Sequence, residues 1–168
     1  RDARLFSGLT VAVFVTSHLI NHALGLMSIE VMETYRKVHS AIWQSPPGVV
    51  FLYGSIAAHV ILALYALYQR SHLRLNVGLA VQLAFGLLVP LLLVEHVVGS
   101  RLVPYIFEFD ATYYYVISFL YIDDQKFWQQ TVLIAIVWIH LCVGLHFWLR
   151  VKPYYEKYQY LFYPIAVV

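Results

Sequence analysis

The chain is predicted to be an all-α, polytopic membrane helix bundle, and three observations predict it. Of 168 residues, 61% are hydrophobic and only 12% are charged, against roughly a quarter charged in ordinary soluble domains, and the mean hydropathy is +0.70. The apolar residues gather into four stretches, each near the roughly 20 residues that a helix needs to cross a bilayer. Each stretch carries a histidine well inside it: His18, His59, His96 and His140. A formal net charge of +2, spread along the chain, argues against a nucleic-acid partner. The lone cysteine, Cys142, excludes an intrachain disulfide and a cysteine-rich metal site.

The elements follow from local signals. The first span is expected from about Leu5 to Ser28. Ser45 followed by Pro46 and Pro47 is a helix-start pattern, because serine can accept a backbone N–H and proline needs no donor in the first turn. It opens a second span, about Gly48 to Tyr68. Asn76 is positioned to cap a third span reaching about Ser100. Asp123 and Asp124 place negative charge at the positive end of a fourth, from about Phe127 to Leu149. Between the third and fourth spans, residues 102–125 contain Tyr113, Tyr114, Tyr115, Phe119 and Tyr121. Their apolar bodies and polar tips predict a short interfacial helix. After Pro153 the chain turns apolar again from Leu161 to Val168, which reads as the start of a fifth helix. Residues 1–168 are thus expected to be one transmembrane domain, itself a piece of a longer chain.

Orientation follows from the basic residues. Arg1, Arg4, Arg70, Arg74, Arg150, Lys152 and Lys157 fall on one side, while Arg36, Lys37, Arg101 and Lys126 share the other with six of the nine acids. The positive-inside rule then puts the N-terminus and the link after the second span in the cytoplasm.

Histidines inside hydrocarbon are functional candidates by default, because the ring loses its water hydrogen bonds and must gain a partner. Their depths can be estimated at about 1.5 Å per residue. His59 lies eleven residues before Arg70 and His140 ten before Arg150, so the two are level on parallel helices. His96 lies five before Arg101, and His18 and His22 lie ten and six before Ser28, which defines an outer level. Two levels of two histidines suit two stacked haems with bis-histidine iron in a four-helix bundle. His18 and His22 share a helix face one turn apart, and depth alone favours His22. His146, about 240° around the helix from His140, is not expected on the same iron. The competing reading of every one of these histidines is an interhelical hydrogen-bonding group that packs the bundle. Glu95, beside His96, is either a proton carrier, a partner for Arg101, or without a role. Arg36, Arg70, Arg74 and Arg101 are available to haem propionates.

The segment Ser17-His18-Leu19-Ile20-Asn21-His22, with Ala58-His59-Val60, Val94 to Arg101 around His96, and His140 to Leu145, resembles the di-haem cytochrome b membrane subunits of succinate dehydrogenases and fumarate reductases. That resemblance implies that the first helix pairs with the third and the second with the fourth. It places His18 and His96 on the outer haem iron and His59 and His140 on the inner one, and so prefers His18 to His22. A closer resemblance is to the cytochrome-b-like membrane anchors that precede class III adenylyl cyclase domains in bacteria. It is carried by Asn21 to Leu26, Ser45-Pro46-Pro47-Gly48, Glu95 to Gly99 and Gly144 to Arg150. These resemblances imply two haem b groups, a bacterial inner membrane location, and a fused or associated cytoplasmic domain or subunit. A quinone ligand and a homodimer are further options. The functions in play are a haem b domain for electron transfer or redox sensing, including the anchor of an adenylyl cyclase; a quinone-reactive cytochrome b subunit; and a haem-free anchor or receptor. The chain alone carries no paired catalytic aspartates on a soluble α/β pattern, so catalysis is not expected of it by itself.

Overall fold

A computed structural model describes residues 2–72, 74–157 and 159–160. Among them all regular structure is helical, and the chain divides into two compact units, Arg1–Leu73 and Arg74–Val168. The expected start of a fifth helix at 161–168 lies outside the described residues.

The first unit holds α1 (Asp2–Leu24), α2 (Ile29–Trp43) and α3 (Pro46–Tyr68). Asp2 lies in the first turn of α1, where a carboxylate faces the positive helix end. The helix stops four residues before the expected Ser28. Gly25 N–H turns back to the His22 carbonyl at 3.0 Å, and Ser28 instead caps a new helix, its hydroxyl accepting from Val31 N–H at 3.1 Å. That helix, α2, was not anticipated. It buries Met32 while leaving Val31, Val38 and Ile42 exposed. The start of α3 is as the sequence predicts: Ser45 Oγ accepts from Gly48 N–H at 3.2 Å and Pro46 opens the helix.

This unit buries small and polar side chains. Ser7, Thr10 and Asn21 of α1 and Ser55 of α3 are buried, whereas Phe6, Val13, Ile20, Val50 and Ile61 are exposed. Such an arrangement suits a solvent of lipid, where small residues let helices approach and large aliphatic ones face the acyl chains. The Ser7 and Thr10 hydroxyls satisfy themselves on the Arg4 and Phe6 carbonyls, both at 3.1 Å.

The second unit starts with α4 (Val77–Val97), capped by Asn76, whose Oδ1 accepts from Leu79 N–H at 2.9 Å. The helix runs through Pro90 and then through a π-helical turn, Val98–Leu102, into α5 (Val103–Ile106). Pro104 explains the π-turn: it has no N–H, and its ring crowds the carbonyl four residues back. Val103 N–H therefore reaches Val98 O, five residues away. Gly99 O, which residue 104 cannot serve, accepts instead from Tyr115 Oη at 3.1 Å. The expected end at Ser100 is thus passed, and the apolar helical run extends from Val77 to Ile106.

A ten-residue helix, α6 (Tyr113–Ile122), follows. Thr112 caps it, and it is too short to span. Asp123 caps α7 (Asp124–Leu149) by accepting from the N–H groups of Gln125 and Lys126 at 3.0 and 3.3 Å. Glycines bring α4 and α7 together. A Cβ on Gly78 would stand 3.3 Å from the Phe147 ring, and one on Gly144 would stand 3.0 Å from the Gln82 amide.

Four helical segments, Asp2–Leu24, Pro46–Tyr68, Val77–Ile106 and Asp124–Leu149, are long and apolar enough to cross a membrane. The buried hydrophobic side chains among the described residues are only Met32, Leu52, Leu133 and Tyr155. The remaining apolar surface is what contact with membrane lipid requires, and the chain is read as an integral membrane protein.

Candidate functional site

His59 and His140, one in each unit, sit in the same local arrangement. In the first, His59 of α3 donates from Nδ1 to the Arg4 carbonyl of α1 at 3.3 Å. In the second, His140 of α7 donates from Nδ1 to the Gln82 carbonyl of α4 at 3.1 Å. Each carbonyl lies four residues before a glycine, Gly8 and Gly86. A Cβ there would stand 2.8 Å from the Cε1 atom of His59 and of His140, respectively.

Helix geometry explains the glycine at this spacing. A side chain tilts toward the N-terminus and covers the turn before its own Cα, so any Cβ at position i+4 shields the carbonyl at position i. With glycine the carbonyl stays accessible to a donor from the neighbouring helix, and at Arg4 the His59 ring shares it with the Ser7 hydroxyl. Because a carbonyl only accepts, the proton sits on Nδ1 and Nε2 carries the lone pair in both rings; in His140 that nitrogen lies 3.5 Å from the Gln82 side-chain amide nitrogen, which can donate to it.

His96 of α4 is held in the same protonation state by a side chain. Its Nδ1 lies 2.8 Å from Gln130 Oε1 of α7. One turn earlier on α7, Lys126 forms an ion pair with Glu95, a partner not among the alternatives that the sequence left open for Glu95. His96 and Glu95 are thereby both engaged by α7.

His18 differs. Its Nε2 is 3.3 Å from His22 Nε2, so one of the two rings donates to the other. Phe14 stacks on His18 at 5.8 Å and 7° between planes. Behind it lies His39 of α2, with ring centroids 6.0 Å apart and its own Nε2 bonded to Ser17 Oγ at 3.1 Å. Burial pushes the His39 imidazole below its ordinary pKa. Sequence spacing does not single out Gln130 or His39, and His39 lies on α2, outside the long apolar stretches.

A signal in the sequence does bear on His18 against His22. At an offset of 78 positions, Leu5, Gly8, Leu9, Val11 and His18 recur as Leu83, Gly86, Leu87, Val89 and His96. Each unit therefore opens with a helix carrying a glycine and, ten positions later (8 to 18, 86 to 96), a histidine. His18, and not His22, is the counterpart of His96.

His146 is occupied elsewhere: its Nδ1 meets the hydroxyl of the buried Tyr155 at 2.8 Å, and Arg150 lies over the adjacent Phe147 ring at 4.7 Å. Of the arginines offered to propionates, Arg36 is paired with Glu33 at 2.9 Å.

Among the described residues no group of three or more His, Cys, Asp or Glu side chains converges as a site for a bare metal ion. A haem iron sets a different requirement, because the macrocycle occupies four of its positions and about two imidazoles complete it. His59, His96 and His140 have Nδ1 anchored to an oxygen acceptor, the arrangement that such an iron takes, whereas His18 is bonded through Nε2 to His22. Comparison with protein-family models, with curated proteins and with solved structures finds no match to this chain.

Proposed function

We propose that this chain is a haem b-binding transmembrane domain for electron transfer or redox sensing. His18 and His96 would hold the outer iron, and His59 and His140 the inner one. The observation that carries the reading is the repeated Gly–carbonyl–histidine arrangement, in which Arg4 O and Gln82 O fix His59 and His140 as Nδ1–H tautomers. Metal-ligating histidines characteristically donate their second ring N–H to such an acceptor, which sets ring orientation and raises ligand basicity. Bound haem supplies a one-electron ferric/ferrous couple. The chain supplies the axial nitrogens, their hydrogen-bond acceptors and a low-dielectric surround.

In the finer reading the N-terminus faces the cytoplasm of a bacterial inner membrane and α6 lies at the opposite membrane surface, as its exposed Tyr114, Phe119 and Tyr121 suit. The output is a fused or associated cytoplasmic partner, of the adenylyl cyclase type or of a quinone-reactive respiratory complex, as the resemblances in the sequence suggest.

The visible spectrum of the protein, purified after expression with haem supplied, tests the function directly. The expected result is low-spin bis-histidine haem b, about two per chain, with a split or broadened band on reduction. A folded but colourless preparation would overturn the proposal and leave the histidines as interhelical bonds.

The outer ligand on α1 is tested separately. His18→Leu is expected to abolish the same haem as His96→Leu, whereas His22→Leu retains it with a shifted potential, since a same-face neighbour changes only local polarity and hydrogen bonding. Loss with His22→Leu and retention with His18→Leu would reverse the assignment.

A further inference from the structure

The acceptor that holds His96 differs in kind from those that hold His59 and His140. The latter are main-chain carbonyls of Arg4 and Gln82, fixed by the helices that contain them. The former is the side-chain amide of Gln130, 2.8 Å from His96 Nδ1. It is delivered by α7 from a register set one turn earlier by the Lys126–Glu95 ion pair. A side-chain acceptor can differ in strength from one residue type to another without any change of backbone, and its strength controls how much electron density the imidazole passes to a metal on its far nitrogen.

Resting on the haem reading above, we propose that Gln130 is a positioning residue that sets the reduction potential of the iron bound by His96. The amide oxygen is a neutral acceptor, so it orients the ring and polarises its N–H only moderately. An anionic acceptor in its place draws the proton further from Nδ1, makes the ring a stronger donor and favours ferric iron, as charge-assisted hydrogen bonds do generally. An apolar side chain of similar bulk withdraws the acceptor and does the opposite. The inner iron, whose ligands lean on main-chain carbonyls, is untouched by either change.

The test is a redox titration of the visible spectrum of the full chain with haem bound, carried out at alkaline pH on wild type, Gln130→Glu and Gln130→Leu. Two one-electron components are expected in the wild type, the outer one being the component that His96→Leu abolishes. Gln130→Glu is expected to move that component to lower potential and Gln130→Leu to higher potential, with the other component unmoved in both. Opposite shifts separate tuning from mere packing, which would move both variants in the same direction. Should the leucine variant lose its fold, the sign of the glutamate shift decides alone. An unmoved outer component, equal shifts of both components, or a glutamate shift to higher potential would overturn the role of Gln130 while leaving the haem reading intact. A wild type without haem would overturn both.

Discussion

His59→Leu and His140→Leu are each expected to remove the same haem and to leave the other in place. Residue counting predicts equal depth for the two rings, and both present the same tautomer, Nδ1–H on a carbonyl at 3.3 and 3.1 Å. Each is assigned one of the two axial positions of the inner iron, so either loss is sufficient. The expected measure is a fall from about two haems per chain to about one, with the retained spectrum still low-spin bis-histidine. Stability changes much less. An interhelical hydrogen bond in a membrane bundle contributes on average about 0.6 kcal/mol, and leucine adds bulk to a lipid-compatible site. If the two variants lose different haems, the ligands are paired wrongly. If neither loses any, the rings are packing groups.

The second large effect falls on two glycines. Gly8→Ala and Gly86→Ala each place a Cβ 2.8 Å from a ring carbon of His59 or His140, inside the closest approach real side chains make. The imidazole has to withdraw from the carbonyl, and the new methyl then shields that carbonyl as well. Overpacking of this kind costs about 1–3 kcal/mol, and the displaced ring loses its orientation toward the metal. Both variants are expected to unfold more readily in a denaturant titration in detergent and to lose or weaken the inner haem. Gly54 is the internal control: a Cβ there meets nothing within 4 Å, so Gly54→Ala is expected within about 0.5 kcal/mol of wild type. A Gly86→Ala protein as stable and as fully loaded as Gly54→Ala would show that the glycine seat has no role.

The four membrane-length helices are legible from composition alone, because apolar runs near 20 residues have few other uses. The starts of three helices are legible too, since Ser45, Asn76 and Asp123 each accept a backbone N–H within three residues of themselves, and such contacts are local. Helix α2 escaped notice for a physical reason. It is 15 residues long, and its apolar side chains Val31, Met32, Val38 and Ile42 are interspersed with Glu30, Glu33, Arg36 and Lys37, so it is too short and too polar to register among the membrane-length apolar runs. The helical run that begins with α4 passes the expected end at Ser100 and reaches Ile106 because Pro104 changes the hydrogen-bond register to a π-turn rather than stopping the helix.

By itself, then, the sequence determined that the chain is helical, that it suits a membrane, and that each of its long apolar stretches holds a histidine well inside. All of these depend on residue type and on spacings of a few residues. Only the tertiary structure decided which atom each histidine faces. The acceptors for His59, His140 and His96 lie 55, 58 and 34 residues away, on other helices. Which carbonyl is open to them depends on where a helix lacks a Cβ and on which turn of the neighbour packs there. The tautomer of each ring is a property of that packing and of no local stretch of sequence.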